Sequence, residues 1–134
     1  MERAEVSKTN KYWIEKHRFY ELKHFCRQYR YWKKVVSNID GMVNQPTGEK
    51  VSTSGYSDPT VRAAFLRELY ESKIKLLERI AYETDPLVSS YILKGVTEGK
   101  SYDVMNTLET LPCSRDEYYR LYRKFFWLLH KARG

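Results

Sequence analysis

The chain has 134 residues, a net charge of +7 and an aromatic share of 15%, twelve of its residues being tyrosines. That length predicts one domain, or one small domain with a helical extension, and the positive charge favours a polyanionic partner such as nucleic acid. No apolar run reaches membrane-spanning length and no signal peptide is recognised, so the expectation is a cytoplasmic protein with no membrane partner. Residues 1–9 are polar and expected to fray. From about Asn10 to Ile39 nothing interrupts a helix. Leu22, Phe25, Tyr29, Trp32, Val36 and Ile39 step by three or four along one stripe, with Trp13, Phe19 and Cys26 at its edges. Lys11, Lys16, Arg18, Lys23, Arg27, Arg30, Lys33 and Lys34 line the other face, which the sequence reads mostly as solvated.

Asp40 to Ser57 carries glycines, a proline and small polar residues without a period, and is read as a mobile loop, 40–57. Gly48-Glu49-Lys50 lacks the upstream glycine and the spacing of a phosphate-binding loop. Asp58-Pro59 then opens a second long helix, Asp58 as N-cap and Pro59 at the first helical position, running to about Glu83. Phe65, Leu66, Leu69, Lys73, Leu76, Leu77 and Ile80 mark its expected buried side, Lys73 being the odd member. Joined by the loop, the two long helices should form an antiparallel hairpin. Thr84-Asp85-Pro86 repeats the N-cap-plus-proline start, for a third helix from about Pro86 to Thr97 with Leu87, Val88, Tyr91, Ile92 and Val96. Gly99 stops it.

The last stretch, 101–134, organises the rest. Ser101 is an N-cap for a short helix to about Glu109. Thr110 to Cys113 breaks it, since Pro112 lacks a donor and biases Leu111 away from helical geometry. Ser114 restarts a helix to about Ala132, with Glu117 placed to reach back in a capping box. Short helix, tight turn, longer basic helix is the order of a helix-turn-helix, whose second helix enters the DNA major groove. On that longer helix Tyr118, Leu121, Tyr122, Phe125, Leu128 and Leu129 form the inward stripe. Arg115, Asp116, Tyr119, Arg120, Arg123 and Lys124 lie opposite, where they would reach base edges and phosphates. The bland alternative is a solvated charged face on a core helix.

Cys26 and Cys113 have no metal-type spacing and read as reduced packing residues. His17, His24 and His130 show no ligand pattern with them. No histidine has a carboxylate at obvious catalytic spacing. The expectation is therefore no enzyme, no metal and no cofactor. No stretch alternates as a strand would, so the fold class expected is all-α. The hairpin would occupy 1–84 and the DNA-binding unit 85–134.

Tyr20-Glu-Leu-Lys-His-Phe-Cys-Arg-Gln-Tyr29 with Trp32-Lys33 carries a resemblance, together with Gly95-Val-Thr-Glu-Gly99, Ser101-Tyr102, Leu111-Pro-Cys-Ser-Arg-Asp116 and Tyr122-Arg-Lys-Phe-Phe-Trp-Leu-Leu129. These segments resemble the RinA-type phage transcriptional regulators, small activators of temperate phages of low-GC Gram-positive bacteria related to the ArpU-type regulators. The resemblance covers most of the chain outside the central loop. It implies a C-terminal helix-turn-helix similar to region 4 of sigma factors, and activation of phage late or packaging genes. By that resemblance Ser101 and Tyr102 open the first helix of the motif, Leu111-Pro112-Cys113 is the turn, and Ser114 to Arg123 begins the recognition helix. Ser114 stands where many relatives have glycine, and serves as well in a cap. The partners expected are double-stranded DNA and host RNA polymerase, in the cytoplasm of a bacterial host. Two other readings stand beside it. A small terminase-like packaging protein is disfavoured by the terminal position of the motif. A host-factor-binding phage protein would use the aromatic helices as its surface.

Overall fold

The computed structural model describes residues 8–44 and 59–134. Those residues are all-helical, with no strand among them, as the periodicities require. The order is α1 (Lys16–Cys26), α2 (Tyr29–Asn44), α3 (Pro59–Thr84), α4 (Ser89–Glu98), α5 (Tyr102–Leu108) and α6 (Arg115–Arg133). None of the described helices is long and apolar enough to cross a membrane. The expectations for residues 1–7, for most of the loop 40–57 and for the Asp58 cap lie outside the described residues.

The single helix expected from Asn10 to Ile39 is two helices with a lead-in turn. Asn10 Oδ1 accepts from the Tyr12 N–H at 2.8 Å, and Glu15 caps α1 by accepting from the His17 and Arg18 N–H groups. Those bonds hold the Glu15 carboxyl below the usual carboxylate range. α1 closes at Arg27, and the Gln28 N–H donates to the Phe25 carbonyl at 3.2 Å, a tightened last turn. The two halves of the stripe meet different partners, which propensity cannot report. Past the break, helix also continues through Asp40 and Gly41, which the sequence assigns to the loop.

The described residues divide into two compact units, 8–28 with 76–134, and 29–44 with 59–75. In the first, α1 packs on α4 and α6, and α6 also meets α4 and α5. Its core holds Leu22, Cys26, Leu77, Ile80, Ile92, Val96, Leu121, Phe125, Phe126 and Leu129. Phe19 meets Phe126 edge-on at 5.0 Å, and the Arg133 guanidinium lies 3.8 Å over Phe25. Arg18 ties α1 to the end of α6, its Nε donating to His130 Nδ1 at 3.0 Å. Arg27 lies against Gly99, which ends α4 at φ +74° as expected of a C-cap glycine.

In the second unit Trp32, Val36, Ile39 and Ile74 are buried. Lys73, the odd member of the expected stripe, places its ammonium 5.5 Å over Trp32 and 5.7 Å over Tyr70. Asp40 accepts both a 2.6 Å and a 3.2 Å bond from Arg67, which holds its carboxyl below the ordinary range. Two residues assigned to a buried face are corrected here: Phe65 and Leu69 are 68% and 40% exposed. Ile74 and Ala81 are buried in α3, where a stripe counted from Phe65 missed them. Helix α4 starts at Ser89, not Pro86, because Asp85 Oδ1 takes the Leu87 N–H in a local turn first.

Candidate nucleic-acid interface

The α5–α6 connection is built from short polar side chains and tyrosines. Ser101 sits in extended backbone and its Oγ accepts from the Val104 N–H at 3.2 Å, starting α5. Ser114 does the same for α6, accepting from the Glu117 N–H at 3.1 Å. Between them Asn106 Oδ1 accepts from the Leu111 N–H at 2.9 Å, and Leu111 is buried beneath the turn while Pro112 stays exposed. The Tyr102 hydroxyl donates to the Cys113 carbonyl at 2.7 Å. The Tyr119 hydroxyl accepts from the Tyr102 N–H at 3.1 Å. Two half-buried tyrosines thus staple α5, the turn and α6 together, the hydroxyl of each satisfying a backbone group. Their rings join Tyr118, which touches Tyr102, Tyr119 and Tyr122 at centroid distances of 5.7, 5.0 and 6.2 Å.

Of the nine residues singled out for DNA contact, four are therefore part of the scaffold. Ser101 and Ser114 are caps, and Tyr102 and Tyr119 are staples. Arg115, Asp116 and Arg120 are exposed, and Arg123 and Lys124 are half-buried. Arg115 pairs with Asp103 of α5 at 3.1 Å, rather than with a neighbour on its own helix. Arg120 grips Glu117, with bonds of 2.6 and 3.3 Å. The Glu117 carboxylate is thus turned onto Arg120 and does not complete the capping box, and this contact holds its carboxyl below the ordinary range. Among the described residues Arg123, Lys124 and Lys131 meet no carboxylate. The Nε of Arg123 is buried without a hydrogen-bond partner among them, so any contact of this side chain with a ligand falls to its Nη end.

The inner face of α6 is rotated slightly from the expected one. Phe126, which the expected stripe left out, is fully buried, and Leu128, which it included, is half-buried. The opposite face runs Arg120, Arg123, Lys124, Trp127 and Lys131, each a helical step of three or four apart from another member. Lys131 lies 4.3 Å over the Trp127 ring, and Tyr12 meets the same ring at 5.5 Å. Trp127 and Lys131 were legible from this spacing. Tyr12 was not, because its stretch reads as helix and is a turn.

Both cysteines are free thiols, Cys26 buried and Cys113 half-buried. Burial pushes the Cys26 thiol far above its ordinary range, and burial with the nearby Glu117 and Asp85 charges raises that of Cys113. No group of three metal-ligating side chains stands together among the described residues. No family model, curated protein or solved structure matches the chain.

Proposed function

We propose that this protein binds duplex DNA sequence-specifically through α5, its turn and α6, and activates transcription from the promoters it binds. The observation that carries the reading is a capped, tyrosine-stapled pair of helices whose second member turns a cationic face outward. A recognition helix needs that combination. Its register must be fixed by scaffold contacts, and its outer face must stay free for base edges and phosphates. In this reading α4 supports the motif, as in region 4 of a sigma factor, and α6 enters the major groove. Helices α2 and α3 form the antiparallel hairpin, supported by contacts of Trp32 with Tyr70 and Lys73 and of Asp40 with Arg67. Host RNA polymerase as second partner, and phage late or packaging genes as targets, rest on the resemblance alone.

The exposed pairs of Arg115 and Arg120 do not argue against this role. Such pairs contribute about 0–1 kcal/mol, so a phosphate or a guanine edge can displace Asp103 or Glu117 at small cost. The test is selection of bound sequences from a random duplex pool, followed by anisotropy titrations on the selected site and on a scrambled one. A preferred sequence should emerge, and Arg120→Ala should weaken it by about 1–3 kcal/mol while relaxing the preference. A pool that never enriches would overturn sequence-specific reading. Equal weakening on both duplexes would leave this helix gripping phosphates only.

A further inference from the structure

We propose that the N-terminal turn, Lys8 to Trp13, is a second DNA-contacting element, laid beside the recognition helix so that Lys8 and Lys11 meet the phosphate backbone next to the groove that α6 occupies. The inference rests on the reading of α6 as a DNA-binding helix. The turn precedes the Glu15 cap and is not part of α1. Asn10 folds it, accepting from the Tyr12 N–H through Oδ1 and from the Trp13 N–H through its carbonyl, at 2.8 and 3.1 Å. Ile14 is buried beneath it, fixing its direction. Tyr12 then reaches the outer face of α6, its ring centroid 5.5 Å from that of Trp127 and tilted by 56°.

Trp127 is the centre of that face, between Arg120, Arg123 and Lys124 on one side and Lys131 on the other. With Tyr12 upon it, it becomes the point where a separate stretch of chain joins the cationic face. The turn brings charge of the same sign. Lys11 Nζ lies 5.6 Å over the Tyr12 ring and Lys8 Nζ lies 6.0 Å over the Trp13 ring. Among the described residues neither ammonium meets a carboxylate. An ammonium over a ring keeps its outward side open to another acceptor, and the ring holds it in place without neutralising it. Arg120, Arg123, Lys124, Lys131, Lys11 and Lys8 thereby share one surface across two separate parts of the chain. All of these but Arg120, which Glu117 holds, meet no carboxylate among the described residues; concentrating such cations is unfavourable unless a polyanion is met there, and duplex DNA offers one charge per roughly 1.7 Å of axis.

The test is the salt dependence of binding to a labelled random-sequence duplex, followed by anisotropy for the full chain and for Lys8→Ala/Lys11→Ala. Each lost phosphate contact should reduce the log–log slope by about 0.9, so the double variant should be shallower by about 1.8. If the two curves meet near 1 M salt, that slope implies roughly 30-fold weaker binding at about 0.15 M. Arg62→Ala/Lys75→Ala removes the same charge from α3 and should leave the slope in place. Tyr12→Ala, which frees the turn from Trp127, should weaken binding with both lysines still present. If the intact protein binds duplex with no salt dependence, the reading of α6 falls and this inference with it. If the intact protein shows a steep slope that Lys8→Ala/Lys11→Ala leaves unchanged, only the second element is overturned. Equal flattening by the α3 variant would assign the effect to net charge and overturn it too.

Discussion

Replacing Gly95 with alanine tests how closely α4 approaches α6. Gly95 is buried within α4. On backbone propensity alone the change should stabilise by about 0.5–1 kcal/mol, since glycine loses more conformational freedom in a helix than alanine. At this position the added Cβ would overlap the hydroxyl oxygen of Tyr118, with the ring Cζ behind it at 3.4 Å. A flexible tip could move aside, but Tyr118 is 0% exposed and its ring is packed among Tyr102, Tyr119 and Tyr122. Overpacking of this kind costs about 1–3 kcal/mol. Gly95→Ala should therefore destabilise by up to about 2.5 kcal/mol net. In a Tyr118→Phe background the obstructing oxygen is gone, the Cβ meets only ordinary van der Waals neighbours, and the propensity gain should return. A double-mutant cycle by urea denaturation should then give a coupling of about 1–3 kcal/mol, with the separate cost of Tyr118→Phe cancelling. Stabilisation by Gly95→Ala in the otherwise unchanged protein would refute the reasoning. So would a penalty that survives once Tyr118→Phe has removed the oxygen.

Truncating Phe126 to alanine should cost about 3–5 kcal/mol, as should Phe125, while Leu128→Ala should cost clearly less; equal costs for Phe126 and Leu128 would mean α6 is rotated. Cys113 should react with a thiol reagent before Cys26, whose buried thiol should label only on unfolding; early labelling of Cys26 would show α1 unseated. Glu15, Asp40 and Glu117 all have carboxyls held below their ordinary range, by backbone N–H groups, Arg67 and Arg120 respectively. The folded state therefore binds fewer protons than the unfolded one, so the stability they contribute is full above about pH 4–4.5 and is lost as pH falls through the lowered values. Glu15→Gln with Asp40→Asn and Glu117→Gln should flatten that acid limb in thermal melts at stepped pH, and an unchanged limb would count against all three contacts.

The helical stripes were legible because burial follows the helical period wherever a helix has one partner. Leu22, Phe25, Tyr29, Trp32, Val36 and Ile39 are all buried, although the helix carrying them breaks at Arg27 and Gln28. The pattern survives the break because both halves keep an apolar face. The break itself is a tertiary event, with neither glycine nor proline to announce it. Phe65 and Leu69 fail for the converse reason. They belong to a periodic run, and periodicity states only that a face is apolar, not that anything covers it. The caps at Ser101 and Ser114 and the stop at Gly99 are legible because each acts within one turn of its own position. The Asp85 signal is real but local, closing a turn a few residues ahead of the helix that follows it.

The interface was legible as a surface and not as a set of partners. Spacing put Arg115, Arg120, Arg123 and Lys124 away from the core; the fold leaves Arg115 and Arg120 exposed and half-buries Arg123 and Lys124. It could not separate the two cations held by carboxylates from the two that are not, because Asp103 reaches Arg115 across the turn and Glu117 has two candidate targets, the Ser114 N–H and Arg120. That choice has a consequence for binding. A cation released from an exposed carboxylate gives back about as much as it gains from a single phosphate in water, so under the proposed reading Arg115 and Arg120 would contribute discrimination only where a base edge offers two acceptors in the fork geometry of a guanidinium. Arg123 and Lys124 have no such exchange to make, and in the proposed complex would contribute to affinity on any sequence. In the DNA complex proposed above, the first two turns of α6 would therefore carry specificity, and the later turns, with Lys131 and the N-terminal turn beside Trp127, would carry the sequence-independent grip.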